Sequence, residues 1–361
     1  MVSFPQARNP ADFLFNAGKV DQNPKNPFSE TIHKVETMSK NQLLEFIEEL
    51  DDTQTDDVEQ PVGARVSKKR QSGRREKEAR LFVRAQEFAR DFQFTYKAAR
   101  FEEAWLLDSL NNLAEHGWIS DVLRKAKVGK EASVYLCRPG PAAAESKFVA
   151  TKVYRPRTLR SLKNDQQYRD GRADLDGDGH VVFKEAEVHA IARRNTFGEE
   201  LRHQSWIAHE FRALEILFKA GADLPRPYAR AGNVIVMDFV GDALGSAPTL
   251  NEVRLEAGEA RPLFERAMRN VEILLSHGFV HGDLSAYNIL YWEGDIRLID
   301  FPQAVSPKDN RNSFRIFSRD VSRLCGYFAK QGVDSDPCQI AADLWARHGF
   351  KSKEEPHPLQ A

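Results

Sequence analysis

Cysteine is scarce in this chain. Its 361 residues include three, Cys137, Cys325 and Cys338, far apart and without a CxxC pair. That argues against a disulfide framework or a structural zinc site and suits a reducing compartment. Long apolar runs are also missing, since no stretch approaches the ~20 residues a membrane helix needs. The opening MVSFPQARNP has no basic region followed by an apolar core, so no signal peptide is read. The expected address is cytoplasmic, without membrane contact. Neither sign of charge is in excess. Lys and Arg number 52 against 53 Asp and Glu, a formal net charge of −1, which argues against a wholly basic nucleic-acid binder.

What is present is enough apolar sequence, 41 % of residues, to bury at least one large core in two lobes with extensions. The chain is organised around HGDLSAYNILYWEGDIRLID, residues 281 to 300. Asp283 is followed by Asn288, then by a short apolar strand ending at Asp300. Oxygen donors in this order suit Mg²⁺, which takes one or two carboxylates plus phosphate oxygens. They also match the phosphoryl-transfer template of a catalytic Asp, a metal-binding Asn and a later metal-binding Asp. The plain alternative is a pair of turns built around Gly282 and Gly294.

Residues 1–61 read as an N-terminal extension poor in core periodicity, with one short amphipathic helix at 41–50 and an acidic linker after it. Residues 62–120 hold a basic run from Arg65 to Arg80, then helices expected to pack on the domain that follows. The run reads either as a contact to RNA or a ribosomal particle, or as a solvated linker. No aromatic residue interrupts it, so base stacking is not indicated. A helix over 102–116 ends at Gly117.

Residues 121–240 form the first lobe. GKEASVYLC places Gly129, Lys130 and Ser133 at a tight turn where backbone N–H groups can approach phosphate, or it is an ordinary hairpin. In FVATKVY, alternation puts Lys152 on one face with Phe148, Ala150 and Tyr154. A lysine inside an apolar strand needs an anion. Glu210, on a helix with Ile207, Phe211, Leu214 and Leu217 or Phe218 inward, is the candidate. Between them lies a charged insertion, 156–200. It contains DLDGDGHVVFKE, in which Asp174, Asp176, Asp178, Gly179 and Glu185 fall at EF-hand positions. EF-hands pair and this loop is single, so a polar turn is preferred to calcium. The strand NVIVMDFV, with Met237 and Phe239, leads to the crossing where backbone groups would bond a nucleotide base.

Residues 241–350 form the second lobe, with helices over 260–277, 313–330 and 336–348. A polar tail covers 351–361.

These motifs carry a resemblance. GKEASVY, ATKVYR, WIAHE, VIVMDFVG, HGDLSAYNIL and LIDFPQAV together resemble the RIO family of atypical serine protein kinases. The HGD and DFP wording looks more like its bacterial branch. The resemblance implies an α+β, two-lobed kinase-like fold, with a small antiparallel N-lobe, a mainly helical C-lobe and a helical N-terminal extension. It implies ATP with Mg²⁺ or Mn²⁺, Gly129 to Ser133 over the phosphates, and Lys152 paired with Glu210. Asp283 would be catalytic, with Asn288 and Asp300 on the metal. In parts of the family Asp300 would accept phosphate transiently during ATP hydrolysis. The expected activity is transfer to protein serine, including the chain's own, or ATPase turnover. The alternatives are an ATP-switched RNA- or ribonucleoprotein-binding factor and a small-molecule kinase of aminoglycoside or choline type.

Overall fold

The structure is a computed structural model that describes residues 92–155, 172–176, 180–182, 189, 191, 196–256 and 258–350. These lie in one compact unit, Arg84–Ala361. The helix expected at 41–50, the basic run and the tail from 351 lie outside the described residues.

Helix α1, Arg100–Glu115, opens the described fold and stops at His116, with Gly117 at φ +72°. Its inner face, Leu106, Leu107, Leu110 and Leu113, is buried. Five strands follow as one antiparallel sheet: β1 Ile119–Val128, β2 Ala132–Pro139, β3 Val149–Tyr154, β4 Pro227–Ala231 and β5 Val234–Asp238. Their order is β1-β2-β3-β5-β4. β3 is therefore central and paired on both edges, as its β-branched run VATKVY favours. Helix α2, Thr196–Lys219, joins β3 to β4.

The second lobe is helical. It contains α3, Ala260–Ser276, the hairpin β6 Ile289–Trp292 with β7 Asp295–Leu298, α4, Ser313–Ala329, and α5, Pro337–Arg347. Gly278, at φ +79°, ends α3 in the conformation that favours glycine. Asp336 caps α5 by accepting from the N–H groups of Cys338 at 2.9 Å and Gln339 at 3.1 Å, with Pro337 in the first turn. A continuous apolar core runs from Tyr154 and Ile207 in the first lobe through Leu263, Leu275 and Ile296 to Phe328 and Trp345 in the second.

One boundary differs from expectation. The segment 196–200, assigned to the charged insertion, is already the first turn of α2. Its polar, partly exposed residues, such as Glu199 and Glu200, give no apolar stripe to announce a helix. Part of the insertion also docks. Leu175 is 1 % exposed, and its N–H donates to Ser205 Oγ of α2 at 2.9 Å. Asp174 and Asp176 belong to a small turn closed by a bridge between Leu175 and Val181. Asp178, Gly179 and Glu185 of the EF-hand-like loop lie outside the described residues.

Candidate active site

Register decides which side chains of the sheet face the cleft. Lys152 pairs with Val134 on one side and Ile235 on the other, and Ala150 pairs with Leu136 and Met237. Paired residues share a face, so Lys152 and Met237 lie on the same side of the sheet. Helix α2 brings Glu210 to that side, 1 % exposed. Lys152 Nζ donates to Glu210 Oε1 at 2.7 Å and to Asp300 Oδ1 at 2.6 Å. Tyr154, two residues along on the same face, donates its hydroxyl to Glu210 Oε2. Tyr154 is itself packed edge-on against Trp206, with ring centroids 5.0 Å apart.

Burial works against the charge on Lys152, but Asp300 and Glu210 outweigh it and hold the ammonium above its ordinary pKa. Glu210 moves the other way from a simple ion pair. Burial pushes its carboxyl up to about 7, Lys152 opposes this and Asp300 adds to it. For Asp300 the loss of solvent is overcome by Lys152, and its carboxyl sits below the usual range. The cluster is one ammonium shared by two carboxylates, of which Asp300 keeps its charge most readily.

The loop bearing Asp283 is held from two sides. Val280 and Val305 exchange backbone hydrogen bonds at 2.9 and 2.8 Å. His281 is 2 % exposed, with Nε2 3.1 Å from the Ile299 carbonyl and Nδ1 3.3 Å from the Asp283 N–H. Burial lowers its pKa and keeps the ring neutral, so Nε2 carries the proton and Nδ1 accepts. Gly282 has φ +85°, and a Cβ there would lie 2.2 Å from the Gln303 carbonyl oxygen. Its N–H donates to buried Asp320 of α4 at 2.8 Å, and its carbonyl accepts from Arg319. Asp283 itself faces the cleft, 42 % exposed, with Arg323 of α4 donating to Oδ1 at 2.7 Å. Asn288 donates to the Asp283 carbonyl at 2.8 Å and approaches Oδ2 at 3.3 Å.

Asp300 is one of two non-glycine described residues at positive φ, +71°, a conformation that costs free energy and clusters at functional sites. Its carboxylate is 44 % exposed. The donor set fits a hard cation that keeps waters and phosphate ligands. Asn288 spends its amide nitrogen on Asp283, leaving Oδ1 for a metal, and Asp300 supplies one open, ionised carboxylate. Among the described residues no three His, Cys, Asp or Glu side chains form a self-sufficient metal cage.

One expectation is corrected. Ser133 is not in the turn. It lies in β2 opposite Val153, so its side chain points to the face away from Lys152, where it is wholly buried. The turn is 129–131, where the Gly129 N–H bonds the Ala132 carbonyl at 2.9 Å and Lys130 is exposed. At the crossing between lobes, the Asp238 N–H is taken by the Arg226 carbonyl at 2.9 Å and the Phe239 N–H by Phe148 at 3.3 Å. Among the described residues the Val240 N–H has no backbone partner.

Three residues were missed. Tyr154 was signalled by the alternation that found Lys152. Lys127 pairs with Val134 and so shares the cleft face, where its charge reaches Asp300. Arg172 comes from the insertion and bonds the carbonyls of Pro302, at 3.4 Å, and Ala304, directly after Asp300. No local pattern marked it, because its partners are 130 residues away.

A RIO-domain family model matches residues 133–340. The RIO-type serine/threonine-protein kinase Rio1 of Haloferax volcanii is 30 % identical over 244 residues, covering 68 % of this chain and 75 % of that protein. Serine/threonine-protein kinase rio1 of Schizosaccharomyces pombe is 30 % identical over 224 residues, 61 % of this chain but 41 % of its own length. A crystal structure of the Rio2 kinase–ADP/Mg²⁺–phosphoaspartate complex from Chaetomium thermophilum aligns over 76 % of this chain and 91 % of that one, at 17 % identity and a TM-score of 0.45. The family model spans more than half of the sequence and includes Lys152, Glu210, Asp283, Asn288 and Asp300; this chain belongs to the RIO kinase family.

Proposed function

We propose that this protein is an ATP- and Mg²⁺-dependent phosphotransferase of RIO-kinase type that moves the γ-phosphoryl group of ATP to protein serine, its own included. The observation that carries this reading is Lys152 Nζ, 2.7 Å from Glu210 and 2.6 Å from Asp300. An ammonium held between the two lobes is placed to receive phosphate oxygens, and Glu210 holds it there. Met237 lines the cleft face behind, and the Val240 N–H is the donor for a base edge. When bound, Mg²⁺ on Asn288 and Asp300 would neutralise charge on the phosphates. Asp283 accepts the proton of the acceptor hydroxyl as its oxygen bonds phosphorus and the bond to the ADP oxygen breaks. Arg323 and Asn288 orient that carboxylate through its two oxygens.

Incubation with γ-labelled ATP and Mg²⁺ tests the reading. Alkali-stable label on serine supports it, and absence of both label and ADP removes it. One observation favours a second route: Asp300 is ionised and open to the cleft. Such a carboxylate can attack phosphorus itself, giving an acyl phosphate that water then hydrolyses, and alkali-labile label would report it.

We also propose a cytoplasmic location, which the three free thiols support; among the described residues no helix is long and apolar enough to cross a membrane. Binding of RNA or a ribosomal particle through residues 65–80 is a separate proposal. Salt-dependent RNA affinity, lost on deleting residues 62–80, would support it.

A further inference from the structure

We infer that Arg124 grips the nucleoside end of the bound ATP, donating to acceptor atoms of its sugar or base. This inference rests on the ATP-dependent reading above. It adds a contact that neither Lys152 nor the metal-binding pair supplies.

β1 meets the cleft with two cations, and the strand is irregular in the way this needs. Arg124 pairs with Leu136, Leu136 with Ala150, and Ala150 with Met237. Paired residues share a face, so Arg124 lies on the side of Met237 and Lys152. Lys125, the next residue, faces the other way and reaches Glu102 of α1 at 3.0 Å. Residues three apart in a regular strand point to opposite sides. Lys127 nevertheless returns to the cleft face, because the register shifts between Lys125 and Lys127. Such irregularities re-aim side chains and recur beside active sites. The two cations serve different ends of the cleft. Lys127 stands where its charge reaches Asp300, the phosphate end. Arg124 stands at the crossing between lobes, its guanidinium carbon 5.7 Å from the centroid of the Phe239 ring.

That contact is a long reach. The strand order puts β2 and β3 between β1 and β5, which leads to Phe239. At about 4.8 Å per strand, a flat sheet would separate β1 from β5 by about 14 Å. The sheet must curl, and the arginine must extend toward Phe239 on the side where Leu136, Ala150 and Met237 lie.

What the guanidinium lacks is an acceptor. Among the described residues, its buried Nε and Nη2 have no hydrogen-bond partner. A ring face attracts the charge but leaves these N–H groups unsatisfied, and buried donors left so cost free energy. The acids beside the crossing have donors of their own. Asp242 Oδ1 accepts from the N–H groups of Leu244 at 2.8 Å and Gly245 at 2.9 Å. Its carboxyl sits below the usual range chiefly through Gly245 and Leu244, with the charges of Lys147 and Arg124 adding to them. Asp238 Oδ1 accepts from the Tyr228 hydroxyl at 2.8 Å and from Ser146. With the phosphates drawn to Lys152 and Asp300, the part of ATP that arrives beside Phe239 is the nucleoside. Its sugar oxygens and unprotonated ring nitrogens are the acceptors Arg124 is missing.

Calorimetric titrations of the full chain with Mg²⁺ compare ATP, 2′-deoxy-ATP and inorganic tripolyphosphate. Arg124→Gln should bind ATP about tenfold more weakly, as loss of a hydrogen bond from a charged donor gives, and tripolyphosphate within about twofold of the parent. Retained tripolyphosphate affinity also shows that the variant is folded. Arg124→Lys keeps the charge without the planar fork and should recover part of the ATP affinity. Lys127→Gln should weaken ATP and tripolyphosphate alike. A 2′-deoxy-ATP deficit present in the parent and absent from Arg124→Gln assigns the contact to the sugar, and an equal deficit in both assigns it to the base. The inference is overturned if Arg124→Gln binds ATP as the parent does, or if it loses tripolyphosphate as much as ATP. A parent that binds neither ligand would remove the ATP-dependent reading, and this inference with it.

Discussion

At the scale of single residues, the groups that would hold the nucleotide are separate from the one that would use it. Asp283 touches neither Lys152 nor Asp300 and is anchored by Arg323 and Asn288. Asp283→Ala should therefore leave ATP affinity nearly unchanged. It should lower transfer by roughly 10²- to 10⁴-fold, the range for removing a positioned base. Filter-binding and labelling assays on the same preparation check both halves. Glu210 supplies a pH signature. Its carboxyl titrates near about 7 in the folded protein, well above the unfolded value. The native state thus binds more protons between the two values. The stability this group contributes is fully present below the unfolded pKa and is lost as pH rises through about 7. Over the same interval the anion that holds Lys152 forms, so nucleotide affinity should rise as this contribution falls. Glu210→Gln should flatten both trends, and thermal melts with and without ATP across that window measure them. Lys152, Glu210, Asp283, Asn288 and Asp300 were legible in sequence because each sits in a motif with fixed neighbours. Ser133 was misread because the end of a turn and the start of a strand look alike when small residues, Gly129 and Ala132, lie just before it.

At the scale of elements, the second lobe was the clearest part of the sequence. α3, α4 and α5 end within a residue or so of expectation, because each shows a full apolar stripe and a glycine or Asp–Pro boundary. α2 was truncated because its first turn is polar, and the docking of 172–176 onto α2 was invisible because its contacts are non-local. The β6–β7 hairpin is secured in the same non-local way. Arg266 of α3 grips Asp223 through two hydrogen bonds, at 2.9 and 2.8 Å, and also bonds Asp295. The catalytic loop is closely packed. Gly282→Ala would place a methyl carbon 2.2 Å from backbone oxygen at φ +85°. The expected cost is at least ~2 kcal/mol, beyond that of left-handed strain alone. Activity should fall with it, because the loop must move from Asp320 to relieve the clash. Chemical denaturation of the variant measures the first and labelling the second. A variant as stable as the parent would show that the loop is not pinned between α4 and Gln303.

For the whole molecule, the five-stranded sheet and the helical lobe share one core yet present facing charges, Lys152 from one and Asp300 from the other. The two lobes are tied by that pair. A triphosphate with its metal would replace one direct contact by several bridging ones. The short distance from Asp300 to α4 leaves no long activation segment between them. The central claim is that nucleotide and Mg²⁺ are held jointly by Lys152 and Asp300. Calorimetric titration of ATP, with and without Mg²⁺, into the parent, Lys152→Ala, Asp300→Ala and the double variant tests it most directly. The account predicts Mg²⁺-dependent binding by the parent and at least ~tenfold loss in each single variant. The double variant should lose less than the sum, because the two side chains touch and bind one ligand. Binding that ignores Mg²⁺, or that both single variants retain at parental affinity, would contradict it.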